Sequence, residues 1–258
     1  MQIFSPEYFF SSFSKLLPFL PLTVLILVIA MLISFPLSIG LAWLALRKSR
    51  IVRGIMRVYV QIVRGTPFIV LLFIIYFGLP MLFLKLWGID MNGWNKAIYI
   101  IITMVLFTSC RMSEALRSAY LAVPEGQTEA TLSCGLSPFQ TLLHVTAPQA
   151  LLIALPNLAN LVCSGLLETA TGFSIGIVDF VGNARLINTR EYGVHVFEIY
   201  LAVALVYWAM AHLISLGFGL LEGHLRRKMG LQEENKTEDR ERRGLRRLFY
   251  RPAVKEVK

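Results

Sequence analysis

Long uncharged stretches separated by short polar segments dominate the chain. The interval between Lys15 and Arg47 holds 31 residues without a charge, more than the roughly 20 that a helix needs to cross the hydrocarbon core of a bilayer. Segments that are apolar enough to cross a membrane lie at about 18–46, 59–84, 148–171 and 197–221. The pattern predicts an all-α integral membrane protein, and its composition agrees, because 56% of the residues are hydrophobic.

The basic residues predict a fifth span and a topology. Five Lys and Arg lie within 47–57, and twelve follow Glu222. Since cytoplasmic loops carry an excess of these residues, both segments are predicted to lie inside, and an even number of crossings must separate them. The stretch 97–119 supplies the crossing that is otherwise missing. We therefore predict five spans, an extracytoplasmic amino-terminal arm at 1–17, an amino terminus outside and a carboxyl terminus inside.

A polar segment at 124–148 is predicted to form a cytoplasmic hairpin of two short helices. The first runs from about Glu125 to Cys134, with an acid in its opening turn, where the helix dipole favours negative charge. Gly135 follows where a left-handed C-terminal cap needs a residue without a Cβ. The second helix begins with an N-cap, a proline at the first helical position and a capping-box partner, which are Ser137, Pro138 and Gln140.

The hairpin resembles the EAA motif of ABC importer membrane subunits, which reads E-A-A, three residues, G, nine residues, I-x-L-P. The matching residues are Glu129, Ala130, Gly135 and Pro148, and the departures are Thr131, Val145 and Ala147. Two further runs, Arg64-Gly65-Thr66-Pro67 and Tyr76-Phe77-Gly78-Leu79-Pro80, resemble the RGTP and YFGLP runs of polar amino-acid permeases. The resemblance extends over roughly residues 15–222.

The resemblance implies a type I ABC importer permease fold at 18–222, with 124–148 as the coupling loop. The residues implied to contact an ATPase are Glu125, Glu129, Ala130, Gly135, Leu136 and Ser137. The implied partners are a second permease subunit, identical or related, two cytoplasmic ATPase subunits and an extracytoplasmic solute-binding protein. ATP and Mg would bind to the ATPase, and this chain would carry no cofactor and no enzymatic activity. The implied location is the inner membrane of a bacterial cell.

A polar stripe on the fourth span is the candidate substrate path. Its members are spaced by 3, 4, 4 and 3 residues, which places Asn157, Asn160, Ser164, Glu168 and Thr171 on one helix face. Polar groups in hydrocarbon are costly unless they are satisfied, so the stripe should face protein or water. It could line a path, with Glu168 near the outer mouth meeting an ammonium group or a base such as Arg185, or it could join helices. Gly172 and Gly176, just beyond it, predict a re-entrant turn.

The same span bears on the substrate. Polar amino-acid permeases commonly carry G-N-E and then L-K-D/E-T-S here, and Asn160, Glu168 and Thr169 match this pattern. Leu161 and Leu167 replace one acid and one base, which suggests a zwitterion of zero net charge. The runs Tyr192-Gly193-Val194-His195, Glu198-Ile199-Tyr200 and Ala204-Leu205-Val206-Tyr207-Trp208 look like cystine-type members. L-cystine or another zwitterionic amino acid is therefore the expected substrate.

Several other classes of function find no support in the residues. The three cysteines have no metal-site spacing and none is predicted to lie in an outside loop, so neither a metal nor a structural disulfide is expected. No metalloprotease, serine-hydrolase or phosphate-loop motif is present. The net charge of +9 follows from topology and does not require nucleic acid.

Two alternatives remain. The basic tail at 223–258 could be solvated, or it could contact anionic lipid headgroups. An ion-coupled secondary carrier of amino acids is the alternative function, although such carriers usually contain two related halves with paired broken helices. No internal repeat is evident in this chain.

Overall fold

The computed structural model describes residues 4–230, and all regular secondary structure in this part is helical. The α-helices are α1 Pro6–Leu16, α2 Leu20–Leu46, α3 Arg50–Gly65, α4 Phe68–Phe73, α5 Leu79–Trp87, α6 Lys96–Leu121, α7 Glu125–Ser133, α8 Pro138–Thr141, α9 Ala147–Thr169, α10 Phe180–Arg190 and α11 Val196–Lys228. Short 3₁₀ or π-helical turns extend several of them, at Leu17–Phe19, Ile74–Gly78, Leu142–Thr146 and Ala170–Ile175.

Five helical stretches are long and apolar enough to cross a membrane. They are Pro6–Leu46, Phe68–Trp87, Lys96–Leu121, Pro138–Ile175 and Val196–Lys228. This confirms the predicted number of spans and the all-α class. The bounds of the first, second and fourth spans differ from the predicted ones.

The second span is divided where the sequence predicted one helix over 59–84. Helix α3 ends at Gly65, Thr66 is extended (φ −100°, ψ 125°), and α4 begins after Pro67. A residue before proline disfavours the α conformation, and proline lacks the N–H that would continue the ladder. The chain therefore breaks at Thr66-Pro67, and α3 is a separate helix with its own faces.

The fourth span begins earlier than the predicted residue 148. Helical residues run without interruption from Pro138 to Ile175, over 38 residues. The π-helical turn Leu142–Thr146 lies just before Pro148 and lets the helix pass a proline whose missing N–H would otherwise break it. The second helix of the hairpin and the fourth span are consequently one rod.

The amino-terminal arm is a helix. Ser5 caps α1, and the Ser5 N–H donates to Glu198 Oε1 at 2.8 Å. Further along α1, Lys15 Nζ lies 3.3 Å from Glu191 Oε1, and the Tyr8 ring stacks on His195 with centroids 3.8 Å apart. These contacts hold the arm against the turn between α10 and α11.

The core lies where α2, α6 and α9 pack together around small residues. Ala30 and Ala154 are buried, and a Cβ on Gly165 would lie 2.5 Å from Met31 Cε. Small residues allow the close backbone approach by which membrane helices associate. This packing fixes the polar stripe of α9 relative to α6.

A turn follows α9 at the predicted glycines. Gly176 is left-handed (φ 80°), and buried Asp179 caps α10 by accepting from the Gly182 N–H at 2.8 Å. Thr23 Oγ1 of α2 donates to Asp179 Oδ2 at 3.3 Å and accepts from the Phe180 N–H at 3.2 Å. Burial raises the pKa of Asp179, and these hydrogen bonds offset part of the rise.

The chain divides into two compact units after Phe218. In the second unit, the last turns of α11 carry an ion pair between Arg226 Nε and Glu222 Oε1 at 2.9 Å. The first part of the predicted tail at 223–258 is helical, because α11 extends to Lys228. Residues 231–258, and with them the choice between a solvated tail and lipid contact, lie outside the described residues.

Candidate functional site: a polar stripe and a helical hairpin

The predicted stripe lies on the face of α9 that the chain's own core leaves free. Asn157 and Asn160 are exposed, and Ser164, Glu168 and Thr171 are partly buried. The side of α9 about a quarter-turn away is packed, because Ala154, Leu158 and Leu161 are buried in one cluster with Met112, Ala115 and Ala119 of α6. The stripe is therefore most accessible at Asn157 and Asn160, where a path or a second subunit could meet it.

Glu168 forms an ion pair with Arg111 of α6. Arg111 Nη1 donates to Glu168 Oε1 at 2.9 Å, and the two side chains are 30% and 14% exposed. The guanidinium also lies over the Phe107 ring, 5.3 Å from its centroid. Glu168 Oε2 is buried, and within residues 4–230 it has no hydrogen-bond partner. One carboxylate oxygen is thus held by Arg111 while the other is left without a partner.

This geometry corrects the expected partner of Glu168. Arg185 instead lies over the Phe173 ring, 5.2 Å from its centroid. Arg111 is 15 residues from Lys96, or roughly 22 Å along a helix of 26 residues, and therefore lies in the middle third of α6. Side chains lean towards the N-terminus of their own helix, and in these antiparallel helices Arg111 and Glu168 therefore lean towards each other.

Two threonines near the end of the stripe differ in their contacts. Thr171 Oγ1 donates to the Glu168 carbonyl at 2.7 Å, so its hydroxyl is satisfied by its own helix. Thr169, which is buried, donates to the Leu166 carbonyl at 2.7 Å and lies 3.4 Å from the Tyr207 hydroxyl of α11. Thr169 therefore holds α9 to α11, while the stripe itself stays accessible.

The hairpin has the predicted caps. Gly135 is left-handed (φ 88°), the Leu136 N–H donates to the Thr131 carbonyl at 3.2 Å, and the Gly135 N–H donates to Leu132 at 3.0 Å. This pair of bonds is the Schellman motif. The capping box is also complete, since Gln140 N–H donates to Ser137 Oγ at 3.3 Å and Ser137 N–H donates to Gln140 Oε1 at 2.9 Å.

Most of the expected coupling residues are exposed on the hairpin. Glu125, Glu129, Ala130, Gly135 and Ser137 are exposed, and Leu136 is partly buried. Apolar side chains that the sequence analysis did not single out, Leu132, Phe139 and Leu143, are also exposed, Phe139 by 70%. Adjacent exposed apolar side chains mark a surface that another protein covers.

Sequence reasoning missed the role of Arg111 because its partner, Glu168, is 57 residues away in the sequence. The basic side of α3 was also missed, since Arg53 and Arg57 were counted as loop charges and Arg64 was considered only as part of a motif. Their spacing at positions 53, 57 and 64 is the signal that could have identified a helix face.

Comparison with known proteins places residues 34–227 in a family described as the inner membrane component of binding-protein-dependent transport systems. The L-cystine transport system permease protein TcyL of Bacillus subtilis (strain 168) is 35% identical over 209 residues, which cover 81% of this chain and 86% of TcyL. A probable amino-acid permease protein, YxeN of the same organism, is 31% identical over 84% of this chain and 93% of its own length. A crystal structure of an amino acid ABC transporter with histidines has a similar fold, with a TM-score of 0.73 and 24% identity over 86% of this chain and 100% of that one.

Proposed function

This chain belongs to the family of inner membrane components of binding-protein-dependent transport systems, and we propose that it is the permease subunit of an ATP-driven importer of a polar amino acid. Its proposed substrate is L-cystine or another zwitterionic amino acid. The observation that carries this proposal is the unbroken helix from the hairpin into the polar stripe, Pro138 to Ile175.

A continuous helix can transmit motion from an ATPase to the substrate path. The exposed hairpin lies at the start of this helix, and Asn157 lies 19 residues further along, or roughly 28 Å. The helix contains a π-helical turn at Leu142–Thr146 and a proline at Pro156, which are places where helices bend. ATP-driven movement at the coupling residues would be transmitted along this helix to Asn157, Asn160 and Ser164.

The ion pair supports a substrate of zero net charge. Arg111 and Glu168 together are electrically neutral, and the unpartnered Glu168 Oε2 can accept from an ammonium group. The positions of Leu161 and Leu167 carry no further charge. A zwitterion offers a carboxylate to Arg111 and an ammonium to Glu168, and the 35% identity to the cystine permease TcyL favours cystine within this class.

The proposed assembly contains two permease subunits, identical or related, two ATPase subunits that bind ATP and Mg, and an extracytoplasmic solute-binding protein. The stripe is accessible on the surface of a single chain, so one copy does not enclose a path, and a second subunit about a twofold axis would close it. The amino terminus is proposed to lie outside and the carboxyl terminus in the cytoplasm, which places the hairpin beside the ATPase. This chain is proposed to bind no cofactor itself.

Reconstitution tests the proposal. The complete complex, purified with its ATPase and solute-binding protein and placed in liposomes, should take up L-cystine or another amino acid only with ATP, and the loaded binding protein should stimulate ATP hydrolysis. Omitting the binding protein is the control. Uptake that needs an ion gradient and no ATP would refute the proposal in favour of a secondary carrier.

A further inference from the structure

Helix α3 has three distinct faces, and one of them is basic. At about 100° per residue, Arg53, Arg57, Gln61 and Arg64 fall within roughly 80° of the helix circumference. An apolar row of exposed residues, Ile51, Ile55, Val58 and Ile62, lies on a different side. Buried Met56 and Val63 form the third side, which packs against the protein. The apolar row is suited to lipid, so the basic face is turned towards neither lipid nor the core.

The basic face lines a cavity of about 560 Å³ that is also lined by α6 and by the end of α2. Ligand cavities in proteins typically measure about 300–1,000 Å³. From α6 the cavity receives Ser113, Glu114 and Arg117. Four arginines therefore face a single glutamate, which makes the cavity strongly positive.

The one acid in the cavity is already neutralised. Arg117 Nε donates to Glu114 Oε2 at 3.1 Å, and Arg117 Nη2 donates to Glu114 Oε1 at 2.5 Å. Within residues 4–230, Arg53, Arg57 and Arg64 form no ion pair. Three guanidinium groups are thus available to an anion, and guanidinium binds carboxylate with two parallel hydrogen bonds.

The cavity and the polar stripe are linked through residues of α6. Arg111, Glu114 and Arg117 follow one another at intervals of three residues on α6, so each is a neighbour of the next on the helix surface. Arg111 holds Glu168 of the stripe, and Arg117 lines the cavity. In the proposed topology, this series of charged side chains, from Glu168 to Arg53, leads from mid-membrane towards the cytoplasm.

We propose that this cavity, lined by Arg53, Arg57, Arg64 and Arg117, is an exit site that binds the carboxylate groups of the translocating amino acid. This proposal rests on the importer function proposed above. The positive cavity attracts substrates that present carboxylates without excess positive charge, such as L-cystine with its two carboxylates. It disfavours cationic amino acids, whose side chains it repels.

Neutralising one cavity arginine tests the proposal in the reconstituted complex. In vesicles of neutral phosphatidylcholine, Arg57→Gln should lower L-cystine uptake at limiting substrate about three- to tenfold, the range expected for a partly solvent-exposed hydrogen bond to a charged group. Arg57→Glu should lower it further, because it repels a carboxylate. Arg50→Gln is the matched control, since Arg50 is on α3 but does not line the cavity; its uptake should stay within twofold of the unsubstituted complex.

Several outcomes would overturn this inference. Equal losses for Arg57→Gln and Arg50→Gln would indicate a general effect of charge, and unchanged uptake by Arg57→Gln and Arg57→Glu would show that the cavity does not bind the substrate. A loss that occurs only when phosphatidylglycerol is added would identify a lipid phosphate site instead. If the unsubstituted complex transports no amino acid, the importer function itself fails, whereas normal transport with indifferent variants refutes only the exit site.

A chemical probe keeps the test decisive if the substitutions abolish uptake. In the complex with its native cysteines replaced by serine, Gln61→Cys places a thiol in the cavity. An anionic methanethiosulfonate reagent should modify it at least several times faster than a cationic one, and Arg57→Gln should reduce that ratio while Arg50→Gln does not. Equal rates with the two reagents in the Gln61→Cys complex that keeps Arg57 would overturn the proposal.

Discussion

Charge removal at Glu168 is the sharpest test of the polar stripe. Glu168→Gln keeps the shape of the side chain but removes the charge that faces Arg111 at 2.9 Å. Breaking a buried ion pair by removing one partner costs about 3–5 kcal/mol. Because the two side chains are 14% and 30% exposed, solvent screening reduces the expected loss of unfolding free energy to about 1–3 kcal/mol.

The transport effect should differ from the stability effect. If Glu168 accepts from the substrate ammonium, Glu168→Gln should lower uptake at limiting substrate about tenfold or more, as expected for a lost hydrogen bond between charged groups. Protein level and basal ATP hydrolysis by the complex should hold. Arg111→Gln should lower uptake similarly, because it removes the partner of the substrate carboxylate and of Glu168.

A double-mutant cycle separates the two roles. The variant that carries both Glu168→Gln and Arg111→Gln leaves no unpaired charge, so its unfolding midpoint in detergent should recover towards that of the parent, with a coupling of about 1–3 kcal/mol. Its uptake in liposomes should stay low, since both substrate contacts are lost. Unchanged uptake by Glu168→Gln at limiting substrate would refute the reasoning: Glu168 would then be structural, and the stripe would join helices.

Three further predictions concern the hairpin, the assembly and the buried cap. Gly135→Val forces a β-branched residue to a φ of 88° and should reduce co-purification of the ATPase several-fold while membrane insertion persists; Gly88→Val imposes similar strain at a φ of 69° in a different loop and should leave co-purification intact. Mass measurement of the active complex in detergent should find two permease subunits, and a single copy would contradict the proposed path. Asp179→Asn retains the cap of α10 and removes the titrating carboxyl. Because burial raises the pKa of Asp179, the parent should lose stability relative to this variant as pH rises from the ordinary aspartate pKa through the raised one. A pH-independent difference in unfolding temperature between the two proteins would refute this.

The helices and their caps were largely predictable because they depend on residues that are close in sequence. The Gly135 cap and the Ser137 capping box are each closed by hydrogen bonds that span a few residues. The five spans were predictable because a helix needs roughly 20 apolar residues to cross a bilayer. The turn at Gly176 was also predictable, since left-handed backbone there favours glycine.

Two boundaries were mispredicted although their signals were present. Pro67 breaks the second span, while Pro148 does not break the fourth. The difference is that a π-helical turn precedes Pro148, and an extended Thr66 precedes Pro67. The sequence contains a proline at both places, and the choice between a break and a π-turn depends on how the surrounding helices pack.

The sequence by itself determined which residues of α9 share a face, because helical periodicity fixes their angles around the axis. Only the tertiary structure decided that Glu168 meets Arg111 rather than Arg185. It also decided that the arginines of α3 line a cavity instead of belonging to a loop. Both depend on the depth and rotation at which α6 packs against its neighbours. Those quantities are set by close contacts of small residues such as Gly165 with side chains distant in sequence, and no local pattern encodes them.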